Sequence, residues 1–251
     1  MTTVALGPLP ASGERVRGLL TVAVSLLIFV PLTVLGAAIG WPASLGDPAE
    51  TALPRLLENE LPTRLGYLVY LAYSVAFLPA AVGVSLWRRQ GPVTVAVWIA
   101  VGAAAASALA RTVGITRWLS TAFPLAEQWR RNPSQATREA IAVQFGTLND
   151  FGGAIGEILG VSVFAALWLA ATIAGPGLPR WARRAGVPVV VLVAAPAVEL
   201  AGVDSGALVS LSSASITLWL AAVGVAMARG RADRGRGAGS AQGRAPLPGG
   251  R

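Results

Sequence analysis

From Gly206 to Ala228 the chain reads GALVSLSSASITLWLAAVGVAMA, 23 residues without a charge. As a helix rising 1.5 Å per residue it would be about 35 Å long, more than the roughly 30 Å of a bilayer's hydrocarbon core. In hydrocarbon every backbone N–H and C=O must be bonded within the protein, and a helix achieves this inside one segment. A second such run, GLLTVAVSLLIFVPLTVLGAAIG from Gly18 to Gly40, follows Arg15 and Arg17. It is too long for a secretory apolar region of about 7–15 residues, so it reads as a retained span, kinked at Pro31.

Four more spans lie between these two. They run from Leu65 to Trp87, stopped by Arg88-Arg89; from Pro92 to Arg111; from Phe151 to Ala174, interrupted by Glu157; and from Val187 to about Val203, with Glu199 inside. The short Asp204-Ser205-Gly206 link makes the last two an antiparallel hairpin. The predicted fold is therefore all-α, a polytopic transmembrane helical bundle of about six spans. It divides into an N-terminal segment 1–17, a membrane domain 18–228 with loops 41–64 and 118–150, and an Arg/Gly-rich tail 229–251 that is predicted to be disordered for want of apolar periodicity. Of the 251 residues 54% are apolar and 13% charged, about half the usual charged fraction.

All 20 basic residues are arginine, against 12 acidic ones, for a net charge of +8. With the abundant alanine and glycine, the absence of lysine points to a GC-rich bacterial genome and hence to a bacterial plasma membrane. Arginine gathers on the cytoplasmic side of membrane proteins. With both termini inside, 13 arginines fall in cytoplasmic segments and seven outside, five of those seven between Arg111 and Arg138. That stretch is the discordant one. Basic charge in this setting is read as orientation and attraction to anionic lipid, so no nucleic acid is expected as a partner.

Tryptophans and tyrosines favour the headgroup layer. Trp41, Tyr67, Trp87, Trp118, Trp129 and Trp181 sit near span ends, whereas Trp98 and Trp219 lie deeper and read as packing residues. In the first outer loop Leu53, Leu56, Leu57 and Leu61 line one face of a short helix, predicted to rest on the membrane surface. In the second, Pro133-Ser134 reads as a helix start, with Ile141, Phe145 and Leu148 on one face leading into the fourth span.

With neither cysteine nor histidine, disulfides, thiolate chemistry, Cys/His metal sites and histidine bases are excluded. Without lysine no P-loop nucleotide site can form. No cofactor and no metal are predicted. The chemistry left lies with carboxylates, arginines and hydroxyls. Orientation brings Arg111, Arg117, Glu157, Glu199 and Asp204 towards the outer side, with Tyr67, Tyr70 and Tyr73 in the same half and Asn149 and Asp150 at the rim. Ionisable groups in a membrane must face one another or water, so these residues form the candidate polar pocket. Glu157 and Glu199 are the expected partners of Arg111. The alternative is a set of ion pairs that only hold helices in register.

Gly152, Gly156 and Gly160 form a small-residue stripe on which another helix could pack closely. Gly206, Ser210, Ser213 and Thr217 make a second, weakly polar strip in the last span. Three functions remain open: a pocket that binds or passes a small solute or lipid headgroup; a structural or regulatory subunit that docks a partner helix, or a second copy of itself, through the glycine face; and an enzyme acting on a lipid-linked substrate with Glu157 or Glu199 as acid or base.

The run Arg111, Arg117-Trp118, Pro124-Leu125-Ala126, with Trp41-Pro42-Ala43-Ser44-Leu45 after the first span, resembles the bacterial multi-pass membrane family known as domain of unknown function 4386. The resemblance covers most of the membrane region. It implies a six- or seven-span helical domain with a charged segment after the third span, and brings no activity or catalytic residue with it.

Overall fold

The computed structural model describes residues 11–88, 92–131, 134–203 and 205–229, and every regular element among them is helical. The first span consists of α1 (Ala11–Leu27) and α2 (Phe29–Ile39). It breaks at Ile28 because Pro31 has no N–H to give to the carbonyl of Leu27. Gly40, with φ of 78°, ends α2 by donating its N–H to Gly36 O at 3.0 Å. A 3-10 turn (Ala43–Gly46) and α3 (Ala49–Glu58) lead to α4 (Glu60–Ser85).

α5 (Val95–Arg117) does not stop at Arg111 but passes through a π-helical segment, Trp118–Ala122, into α6 (Phe123–Arg131). α7 (Gln135–Gly153) likewise enters the fourth span through a π-helical segment, Ala154–Phe164, and continues as α8 (Ala165–Ala174). The helix start predicted at Pro133-Ser134 is met, with Ser134 at the cap of α7. α9 (Arg180–Ala194) tightens to a 3-10 helix over Ala195–Ala201, where Pro196 can neither donate nor accommodate the preceding turn. α10 (Gly206–Arg229) is the last span.

Six runs are long and apolar enough to cross a membrane: Gly13–Ile39, Glu60–Ser85, Val95–Arg131, Gln135–Ala174, Arg180–Ala201 and Leu208–Arg229. The protein is a multi-pass helical membrane protein. Its spans form a ring in chain order, each packed on the next, and α10 closes the ring against α1. That closure depends on Gly18 and Gly224, since a Cβ on Gly224 would come within 3.0 Å of the Gly18 carbonyl oxygen. Large apolar side chains such as Leu26, Phe29, Leu68, Leu109, Val191 and Leu218 point outward. On a water-soluble protein such a surface would aggregate, whereas in a bilayer it meets lipid.

Trp168 is fully buried at the centre of the main core, edge-on to Phe77 and Trp219. Its Nε1 donates to Ser85 Oγ at 3.1 Å, and Ser85 Oγ lies 2.9 Å from Thr172 Oγ1. Trp219 is a packing residue as predicted, donating to Ala182 O at 3.0 Å, but Trp98 is 66% exposed and faces lipid.

A second core caps the opposite end. There Leu53 and Leu56 of α3 dock on α6 instead of lying on the membrane, and Leu61 belongs to the exposed first turn of α4. Arg64 stacks its guanidinium 3.8 Å from the centre of Phe123, and Arg55 ties α3 to Asp47 at 2.6 Å and to Ile39 O at 3.1 Å. Trp118, Trp129 and Tyr67 are buried in or beside this cap and not spread in the headgroup layer. Ile141 and Phe145 pack into it as predicted.

The first ten residues, Arg89, Pro133, Asp204 and the tail beyond Arg229 lie outside the described residues.

Candidate functional site

Just beneath the cap, the third and fourth spans cross on three rungs. Gly152 lies against the Arg117 side chain, Gly156 against the backbone of Gly114, and Gly160 against Arg111. A Cβ on Gly156 would fall 2.9 Å from Gly114 Cα, and one on Gly160 would fall 3.0 Å from Arg111 Cγ. The glycine stripe thus serves two purposes. At its middle it lets two backbones touch, and at both ends it vacates the volume into which an arginine stem folds.

On α5 the small residues Gly114 and Ala110 answer the three glycines. Gly152, Gly156 and Gly160 are thus met from within the chain. The π-helical winding of Ala154–Phe164 lies along this crossing, and the Ser107 hydroxyl donates to Gly160 O at 2.6 Å there. Such segments inside α-helices recur at functional sites.

Arg111 and Arg117, expected at the end of the third span and in the loop after it, are both buried inside the bundle. Arg117 donates from Nη2 to Glu157 Oε1 at 3.2 Å and to Asn149 Oδ1 at 3.3 Å, and from Nη1 to Gly114 O at 3.1 Å. Asn149 in turn donates to Leu45 O at 2.7 Å, linking the charged pair to the first loop. The expected pairing of Glu157 with Arg111 is corrected by this geometry, because the carboxylate reaches Arg117 instead.

Arg111 is 3% exposed, and no ion pair or hydrogen bond to its guanidinium forms among the described residues. What meets it is aromatic, with Phe77 at 4.3 Å and Tyr73 at 5.8 Å from ring centre to guanidinium carbon. The ring faces offer a cation some stabilisation but accept none of its N–H bonds in the plane.

These residues enclose a cavity of about 10 Å³ lined by Arg111, Arg117, Glu157, Tyr67 and Tyr70, with Trp41, Trp118, Gly114, Ile115 and Gly156 completing the wall. That is room for about one water molecule. Tyr67 stacks flat on Trp118 at 5.2 Å, and Trp41 meets Tyr70 edge-on at 5.5 Å. Three buried polar atoms of the lining have no hydrogen-bond partner, namely Arg111 Nε, Arg117 Nε and the Tyr67 hydroxyl. Thr63, Trp87 and Ser212 hold the other partnerless buried atoms among the described residues, and none of these lines the cavity.

No family model, curated protein or solved structure matches this chain. Its site is therefore read from geometry.

Of the residues predicted from sequence, the cavity gathers Arg111, Arg117, Glu157 and Tyr70, and Asn149 stands at its rim. Glu199 is not in the lining. It sits in the 3-10 segment, where it accepts a short hydrogen bond from the Ser205 hydroxyl and closes the turn that Gly202 makes with φ of 79°. Asp204 lies outside the described residues. In the last span Thr217 is buried, Ser213 half-buried and Ser210 exposed, so that strip lines no common path. Gly114 went unread in the sequence, although a glycine three residues before Arg117 was a usable signal, and Trp118 was read only as an interfacial aromatic.

Proposed function

We propose that this is a non-enzymatic multi-pass protein of the bacterial plasma membrane whose polar pocket, facing outward, binds or passes a small solute or lipid headgroup. One observation carries the reading: buried hydrogen-bond donors of Arg111, Arg117 and Tyr67 border a cavity and have nothing to donate to. Leaving a buried donor unsatisfied costs about 1–3 kcal/mol, and more for a charged one, so a bundle that keeps them gains from what fills the site. The cavity has room for one polar atom of such a ligand, and Glu157 is the exposed end of its charged pair. The Glu157 side chain is 39% exposed where that of Arg117 is only 6%.

The outward orientation draws support from the placement of two arginines. With Arg111 and Arg117 inside the bundle they no longer count as loop charges, and the seven arginines assigned outside fall to five, against thirteen on the cytoplasmic side.

The test is thermal unfolding of the full chain in detergent against a panel of inorganic phosphate, acetate, glycerol, phosphocholine and glycerophosphoglycerol. At least one should raise the melting temperature of the wild type and leave Tyr67→Phe, Arg111→Gln or both less responsive. A panel without effect on the wild type would refute the pocket.

A further inference from the structure

Building on the pocket reading, we infer that the ligand group is a singly charged oxyanion and that Glu157 is the internal anion it competes with for the arginines. Among the described residues the cavity wall carries two guanidinium groups and one carboxylate, and so lacks one negative charge. Glu199 accepts a hydrogen bond from Ser205 and, among the described residues, makes no ion pair with either arginine. Asp150, in the last turns of α7, is exposed.

An isolated buried cation is costly, and proteins keep one where an anion is to be met. Phe77 and Tyr73 hold the Arg111 plane from the side, which leaves its N–H edge to donate. A guanidinium N–H donates well to an oxygen of a phosphodiester, phosphate or carboxylate, and the cavity has room for one such oxygen. The unpartnered Tyr67 hydroxyl provides a further donor in the same wall. A neutral solute could satisfy the hydrogen bonds but would leave the charge uncompensated.

Glu157 gives this arrangement a testable sign. It holds one arginine at 3.2 Å while partly exposed, as a counter-ion that can yield its place would. Removing its charge should strengthen anion binding, whereas removing a residue that merely held the ligand would weaken it.

The experiment uses the full-length protein in two settings. Free anion is presented as inorganic phosphate in detergent at mildly acidic pH, where it is mainly the monoanion, and headgroup phosphodiester as phosphatidylglycerol in nanodiscs, with phosphatidylcholine nanodiscs and glycerol as controls without net charge. The dissociation constant is read from the thermal shift. The wild type should respond to phosphate or to phosphatidylglycerol, and whichever acts names the source.

Glu157→Gln should bind that anion about tenfold more tightly, since a competing charge at hydrogen-bond distance is gone. Arg111→Gln should lose at least tenfold. If Arg111→Gln fails to fold, Glu157→Gln decides alone, because anion binding tightens on neutralising Glu157 only if the anion sits close to that carboxylate. Weaker or unchanged anion binding in Glu157→Gln overturns the inference. A response to glycerol that survives Arg111→Gln also overturns it while leaving a pocket for neutral solutes. No response to any probe overturns both.

Discussion

The two ends of the bundle bury polar side chains in opposite ways. Around Trp168 the indole N–H, Ser85 and Thr172 bond to one another and to Ala81 O, and no charge is present. Beneath the cap Arg111, Arg117 and Tyr67 are as deeply buried, yet each keeps an atom without a partner, and Arg111 has no ion pair among the described residues. A closed network rigidifies a core, and an open one costs stability. The first end is built for the fold, and the second carries a cost that a ligand would relieve.

Substitutions at the two ends should therefore separate stability from binding. The largest effect is expected for Trp168→Ala, which empties the centre of the main core and should cost about 3–5 kcal/mol of unfolding free energy in mixed micelles. Anion binding in the fraction that remains folded should be unchanged. Gly156→Leu drives a side chain into the Gly114 backbone and should cost about 1–3 kcal/mol or more. It should also abolish binding, because separating the third and fourth spans moves both arginines.

Arg117→Met leaves Glu157 without its counter-ion. With that carboxylate partly exposed, the loss should be about 2 kcal/mol, less than for a fully buried pair. At the small end, Trp98→Ala removes a side chain that meets lipid alone and should change unfolding by no more than about 0.5 kcal/mol. A loss near that of Trp168→Ala would mean that Trp98 packs against another protein.

The spans were legible because a bilayer demands long uncharged runs, and composition supplies that signal directly. Their ends were less so. Arginine was read as a boundary, so the third span was expected to stop at Arg111, whereas α5 carries both arginines inward and continues to Arg117. A charge marks the end of a span only when it faces water. Here the space left by Gly152 and Gly160 lets two charges turn to the interior.

The glycine stripe itself could be read from its spacing of four, but not what would fill it, since a stripe is equally open to another chain and to its own neighbour. Glu199 was misplaced for a related reason. It was grouped with the arginines because orientation puts both on one side, whereas Pro196 tightens the backbone there and the carboxylate bonds to Ser205. The leucine face of α3 was visible as a face, but its partner α6 is separated from it in sequence by an entire span and more.

The sharpest contrast with Trp168 is offered by Arg111→Met, which replaces an unpartnered cation by an apolar chain of similar length. The most direct measurement is a side-by-side comparison of this variant and the wild type for unfolding free energy without ligand and for binding of phosphate and phosphatidylglycerol. Replacing even a buried ion pair by apolar residues is often neutral or stabilising by about 1–4 kcal/mol, and a lone buried charge is costlier to keep than a paired one. The predicted result is an apo protein at least as stable as the wild type that no longer binds either anion. A variant that is markedly less stable yet binds as the wild type does would place Arg111 with the fold and contradict a ligand site at this end of the bundle.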